Sequence, residues 1–144
     1  MSLIERVMLS LFLIVLINHQ TISPLSKTNV YIINERGTNI FLCEVAKSPD
    51  QWQRGLMYRK TMNTNEGMLF IFPYSSYIPF WMKNTYLSLA IIFVDEENEV
   101  VDVFYPKPLS TNSVYPSKPS KYVLEILSNV STKINVKRGD IVLF

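Results

Sequence analysis

Apolar residues in this chain fall in short runs, several of them alternating with polar ones and broken at close intervals by turn-forming residues, a pattern of strands joined by hairpins. Residues 30–33 and 40–46 read as a first strand pair, with the turn-rich residues 34–39 as a loose loop between them. An apolar strand at 68–72 is expected to stop at Pro73, and a short strand at 80–83 to end at an Asn84-Thr85 turn. Residues 87–95 are apolar on both faces through 91–94, the mark of a central strand. Further strands are expected at 100–105, 122–126 and 141–144, with a short helix at 128–134.

One segment carries a strong helix start. Ser48 stands where a cap belongs, Pro49 suits the first helical position, Asp50 faces the positive end of the dipole, and Gln51 completes a capping box. The helix is expected over 48–58, with Trp52 and Leu56 on one stripe, although Gly55 marks either a close backbone approach or an early end. The fold class implied is mainly β, α+β at the margin: an antiparallel sheet curled into a small barrel-like or sandwich core, with this one short helix and an N-terminal signal or anchor helix.

That N-terminal segment changes the compartment. Residues 7–17 form an uncharged apolar run of eleven after Arg6, the length of a signal-peptide core and short of the roughly 20 residues that span a bilayer. Three readings stay open: a cleaved signal, an uncleaved anchor, or a buried helix. The organisation expected is signal or anchor at 1–23, linker at 24–29 and a single domain at 30–144, in an exported protein that is periplasmic or secreted, or anchored to the inner membrane by its leader. Membrane contact is expected only through residues 7–17, if the leader is uncleaved.

Composition then removes whole classes of chemistry. The single histidine, His19, lies in the leader, so the remainder has no imidazole for Ser-His-Asp or Cys-His catalysis or for a His-ligated metal. The single cysteine, Cys43, sits in an apolar strand and reads as a buried, inert thiol, with no intramolecular disulfide or thiolate cluster available. A net charge of +2, dispersed along the chain, argues against nucleic acid. The glycines at 37, 55, 67 and 139 are too scattered for a phosphate loop. No cofactor and no metal are implied.

The candidate chemistry centres on Phe80-Trp81-Met82-Lys83-Asn84. Strand alternation puts Phe80, Met82 and Asn84 on one face and Trp81 with Lys83 on the other, where a ring beside a cation holds a planar or anionic ligand; the plainer reading is a core tryptophan with a snorkelling lysine. Arg54, Met57 and Arg59 supply a second wall, the arginines either contacting ligand or forming structural ion pairs with Glu66 or Glu125. The Pro/Ser-rich loop 106–119, which contains Tyr115, is either a lid or a crossover. Met57, Met62, Met68 and Met82 read as core filling, with a thioether Cu(I) site as the sharper alternative. Asp102 and Glu125 are a candidate carboxylate pair on neighbouring strands, or exposed strand positions.

Arg54-Gly55-Leu56-Met57 with Arg59, Glu66-Gly67-Met68-Leu69-Phe70 with Phe72, Phe80-Trp81-Met82-Lys83-Asn84-Thr85, Leu89 with Phe93 and Asp95, and Val123-Leu124-Glu125 with Gly139-Asp140 together resemble the DUF192 family. The resemblance covers residues 40–143 in the family's order. It implies a small, single-domain, β-rich module, commonly exported, without an assigned biochemical activity. The chain departs from the family in having Leu89-Ala90 where Leu-Asp is usual, and Ser128-Asn129 near the family's glycine. A missing aspartate there implies a lost salt bridge to Lys83 or Arg54, or a lost active group.

The binding residues expected are Arg54, Met57, Arg59, Phe80, Trp81, Lys83, Asn84, Tyr115 and Glu125. The function expected is an exported binding or accessory module for a small polar or anionic ligand. The alternatives are a cell-envelope enzyme working through Lys83, Asp102 or Glu125, and a structural partner of an envelope protein.

Overall fold

The first hairpin forms one side of a seven-stranded sheet. In the computed structural model, which describes residues 1–6 and 24–144, strand β1 (Lys27–Asn34) pairs antiparallel with β2 (Gly37–Ala46), from Lys27 opposite Glu44 to Asn34 opposite Gly37. The turn between them is Glu35-Arg36, tighter than expected, because Gly37 adopts φ 120° and lets the chain reverse at once. Lys27 to Asn29, expected as linker, already belong to β1. The apolar run at 7–17 and His19 lie outside the described residues, and with them the readings of the leader. Among the described residues no helix is long and apolar enough to cross a membrane.

From β2 the chain enters α1 (Pro49–Arg54), whose start is tied down by the Gln51 carboxamide oxygen accepting from the Lys47 and Ser48 amides at 2.8 and 3.2 Å. The helix is shorter than expected. Gly55 takes φ 46° and ψ −131°, its amide still donating to the Gln51 carbonyl at 2.9 Å, and residues 55–58 continue as turns. The crossover through α1 lays β3 (Glu66–Ser76) parallel to β2, from Leu42 opposite Glu66 to Ala46 opposite Phe70. This parallel pair departs from an otherwise antiparallel sheet. Nor does Pro73 end β3: the pairing with β6 breaks register between Ile71 and Ser76, and a residue without an amide proton fits that irregularity.

The remaining elements are β4 (Leu89–Val94), β5 (Val100–Phe104), β6 (Ser120–Leu127), α2 (Ser128–Ile134) and β7 (Ile141–Leu143). The spatial order is β5-β4-β6-β3-β2-β1-β7. The sheet curls until its edges touch at one end: Glu99 bridges Ile141, the Val100 amide donates to the Asp140 carbonyl at 2.8 Å, and the Val142 amide donates to the Asn98 carbonyl at 2.9 Å. The result is a curled half-barrel, mainly β, as the hydrophobic pattern implies.

Strand alternation divides the core in two. Ala90, Ile92 and Val94 of β4 face inward with Val30, Ile32, Cys43, Leu124 and Ile126, while Leu89, Ile91 and Phe93 face outward with Met68, Phe70, Phe80, Met82 and Val123. All six residues of β4 are buried, so its reading as central holds. Ala90 therefore sits in the inner core among aliphatic side chains, on the face of β4 opposite the layer built by Phe80 and Met82. An aspartate at this position would face the barrel interior rather than Lys83 or Arg54, so the family difference does not remove a group from the candidate site.

Cys43 lies in the same inner core and is fully buried, and desolvation pushes its thiol up to about 12. The folded protein will therefore not react with a water-soluble disulfide reagent at pH 8 over minutes. In denaturant the same assay will titrate one thiol, and rapid reaction of the native protein would show that β2 opens.

Candidate functional site

Over β3, β4 and β6 the outward face of the sheet is covered, because α1, the turn after it and the segment 77–87 fold over it. Between this cover and the sheet lies a cleft of about 350 Å³, within the usual range for small-molecule sites of about 300–1,000 Å³. Its walls are largely aromatic: Trp52 from α1, Phe70 and Phe72 from β3, and Phe80 and Trp81 from the covering segment. Phe70 and Phe72 are positions that alternation along β3 sends to one side of the sheet, and Phe80 meets them from the covering segment. There Trp52 stacks at 4.8 Å from Phe72 and Phe80 meets Phe70 edge-on at 5.0 Å. The Trp52 indole N–H donates to the Ala46 carbonyl at 3.1 Å, which fixes that wall to the end of β2.

Gly55 makes the close packing of α1 on this layer possible. A β-carbon there would lie 3.2 Å from the Phe70 ring, and its φ of 46° disfavours a side chain in any case. Leu56 follows as the buried anchor of the turn, 2% exposed.

The segment 80–85 is held by the backbone of the long loop. Phe80 and Val114 exchange amide hydrogen bonds at 3.0 and 2.8 Å, the Met82 amide donates to the Ser110 carbonyl at 3.0 Å, and the Leu109 amide donates to the Thr85 carbonyl at 3.0 Å. The expected strand at 80–83 is thus an isolated bridge, but its alternation persists. Phe80 and Met82 are buried, whereas Trp81 is 41% exposed and Lys83 is exposed. The Lys83 ammonium lies 5.1 Å from the centre of the Trp81 ring. Trp81 is consequently not a core residue.

Of the expected binding residues, Arg54, Met57, Phe80, Trp81 and Glu125 line the cleft, and Lys83 adjoins it through Trp81. Arg59 does not. It forms an ion pair with Glu44, a partner other than the Glu66 or Glu125 expected, because the early end of α1 carries it past the cleft to β2. Tyr115 is 57% exposed and off the lining; its loop is a bound wall that contributes Ser113 instead.

Asn84 is also off the lining. Its side-chain amide donates to the Tyr58 hydroxyl at 3.0 Å, and the Tyr58 amide donates to the Asn84 carbonyl at 2.8 Å. Both residues adopt left-handed backbone, φ 55° and 66°. They latch the two walls together. Asn84→Ala will cost about 1–2 kcal/mol in chemical denaturation, from the lost hydrogen bond and an alanine held at positive φ. Asn84→Gly will lose only part of that, and equal stability of all three proteins would remove the latch.

Glu125 forms the floor. It follows Leu124 of the inner core and so projects to the outer side of β6, between Met68 of β3 and Ile91 of β4. The residue is 5% exposed, and among the described residues its carboxyl group has no hydrogen-bond or ion-pair partner. Burial pushes the carboxyl up to about 8, so at neutral pH it is largely the protonated acid. Arg54, the other charged residue on the lining, is exposed and unpaired among the described residues.

The carboxylate pair expected between Asp102 and Glu125 does not form, because β4 separates their strands. Asp102 instead accepts from the Ser117 amide and from the Arg138 guanidinium, both at 2.6 Å. Partial burial alone would raise its carboxyl, but these hydrogen bonds outweigh burial and hold it below the usual range. The methionines also separate: Met68 and Met82 are fully buried core, while Met57 lines the cleft.

Among the cleft residues missed from the sequence are Trp52, Phe70, Phe72, Ile78, Thr85 and Ser113. The first three carried a signal, a run of aromatics on alternating or helix-spaced positions around Gly55. Ser113 carried none, since only the backbone ladder to Phe80 places it.

A crystal structure of a protein of unknown function from Novosphingobium aromaticivorans is similar with a TM-score of 0.82 and 28% identity, over 87% of this chain and 90% of that one. A protein of Sinorhizobium meliloti, provisionally described as a transcription regulator, is similar with a TM-score of 0.80 and 32% identity, over 83% of this chain and 95% of that one. Comparison with curated proteins gives no match. The profile of DUF192, described as an uncharacterised ACR, matches residues 31–144. The chain belongs to the DUF192 family.

Proposed function

We propose that this protein is an exported binding module that takes a small ligand with an apolar or aromatic body and a polar end into the cleft between α1 and the sheet. The observation that carries the reading is the aromatic cleft of about 350 Å³ floored by the buried Glu125 carboxyl. Aromatic walls supply affinity through buried area, and one buried polar group supplies orientation. Arg54 and Lys83 at the mouth accommodate an anionic substituent that stays in solvent. Export rests on the apolar run at 7–17.

The reading predicts saturable binding of small amphiphilic fragments, followed by calorimetry. Trp81→Ala will weaken that binding by at least about tenfold, the worth of one aromatic wall. Because Trp81 is 41% exposed, the variant will keep its fold. If Trp81→Ala unfolds the protein instead, Trp81 is a packing residue and the proposal loses its anchor.

An enzyme working through Lys83, Asp102 or Glu125 has less support, because these groups do not converge: Lys83 lies over Trp81, and Asp102 is tied to Arg138. A structural role has one supporting feature, the exposed Ile40, Leu42 and Leu143 on the outer side of β2 and β7. Capture of an envelope protein that survives Trp81→Ala but is lost in Ile40→Lys would favour it. A role in transcription is not adopted, since a dispersed net charge of +2 makes no basic surface.

A further inference from the structure

We infer that the polar end recognised in the cleft is an organic ammonium, held by Glu125 as its carboxylate inside the aromatic walls. The inference rests on the reading of the cleft as a ligand site and specifies its ligand class.

Two independent features of the cleft point the same way. Glu125 is 5% exposed, lies on the lining, and has no hydrogen-bond donor or counter-ion among the described residues. A carboxyl with neither takes its hydrogen bonds from whatever occupies the cleft, so a donor brought by a ligand has a place there. The neighbours on its own sheet do not help, for β3 places Met68 beside it and β4 places Ile91. Arg54 from α1 is the other charged side chain on the lining, and it is exposed and makes no ion pair among the described residues.

The second feature is the set of five aromatic side chains, Trp52, Phe70, Phe72, Phe80 and Trp81, around the same space. Aromatic rings around a carboxyl form the surroundings that an alkylammonium ion favours, since cation–π attraction and a desolvated ion pair both act on the positive end. An anion would meet the reverse: a carboxyl on the floor and electron-rich ring faces. The cations at the mouth are solvent-exposed, and screening weakens their repulsion of an incoming ammonium far more than it weakens an ion pair formed at depth.

Protons balance in one step. With the free acid as the resting form, the ammonium keeps its own proton, Glu125 releases one proton to solvent, and the ion pair forms. Binding is therefore linked to pH through Glu125.

The test uses the purified full chain and three probes of one shape, benzylammonium, benzyl alcohol and benzoate, in calorimetry across pH 6 to 8 and in buffers of different ionisation enthalpy. Benzylammonium is expected to bind at least about tenfold tighter than benzyl alcohol at pH 8, with affinity rising as pH rises and up to one proton released per ligand near pH 6.5. Glu125→Gln will abolish the preference and the proton release together, and Glu125→Asp will retain the proton release with weaker binding. If benzyl alcohol or benzoate binds as tightly as benzylammonium, or Glu125→Gln leaves the preference intact, the ammonium assignment is overturned while the cleft remains a binding site. If none of these probes and no amphiphilic fragment binds, both readings fall.

Discussion

Gly67→Ala will be the most damaging conservative substitution in the protein, lowering stability by about 3 kcal/mol or more and the thermal midpoint by roughly 10 °C or more. Gly67 lies where β3 passes between β2 and β6, opposite both Cys43 and Ile126. A β-carbon there would stand 2.5 Å from the backbone carbonyl oxygen of Glu125, 3.0 Å from Ile126 Cγ2 and 3.2 Å from the Cys43 sulfur. The first contact is with backbone, so no side-chain rotation relieves it. β3 and β6 must separate, and the ladder from Gly67–Ile126 to Ile71–Tyr122 loosens with them. Because the obstructing atom belongs to Glu125, the floor of the cleft moves too. Denaturant titration of the variant beside wild type measures the loss, and a change within about 0.5 kcal/mol would mean that β3 and β6 leave room for a β-carbon.

Wild-type stability will fall as pH rises from about 4.5 to about 8, and Glu125→Gln will remove most of that slope. Burial raises the Glu125 carboxyl in the folded state from 4.5 to about 8. Between those values the unfolded chain has lost the proton that the folded chain keeps, so each rise in pH favours unfolding. The stabilisation is complete below 4.5 and is gone once pH passes the folded-state value. The limiting slope for one group is about 1.4 kcal/mol per pH unit, which makes the whole effect a few kcal/mol. Asp102 acts oppositely, its stabilisation being lost as pH falls, but in a more acidic window. Glu125→Gln keeps the side-chain shape without the titration, so it should exceed wild type in stability near pH 7.5 and approach it near pH 4.5. A wild-type profile flat from 5 to 8, or a glutamine variant less stable than wild type throughout, would mean the carboxyl is ionised and compensated.

The sequence revealed side-chain faces better than neighbours. Alternation from Phe80 to Lys83 was correct about which residues are buried, even though the segment makes a bridge rather than a strand, because burial follows the direction of each side chain. The doubly buried β4 was equally legible. Strand order was not. Asp102 and Glu125 were expected on adjacent strands, yet local sequence carries no information on which strand lies between them. The parallel pairing of β2 with β3 was hidden for a similar reason: α1 has six residues, and a helix that short gives little sign that it is a crossover. Gly55 offered two meanings, close approach or early helix end, and the structure uses both. Ala90 read as a gap in the site when compared with the family, but its face of β4 places it in the opposite core.

These relations give the family's motif blocks distinct physical tasks. Gly55 and Gly67 bring α1, β3 and β6 close, Asn84 with Tyr58 ties the walls together, and Trp52, Phe72, Trp81 and Glu125 line the enclosed space.

Both tryptophans of the chain, Trp52 and Trp81, stand on the cleft. Protein-observed NMR, following the two indole N–H resonances and the amides of Gly55, Met57 and Thr85 during titration with a set of small amphiphilic fragments, therefore tests the central claim directly. The account predicts that saturable shifts concentrate on both indoles and those three amides, with Ile40 and Leu143 unmoved. Fragments that leave both indoles unshifted, or that gather instead on the outer side of β2 and β7, would contradict it.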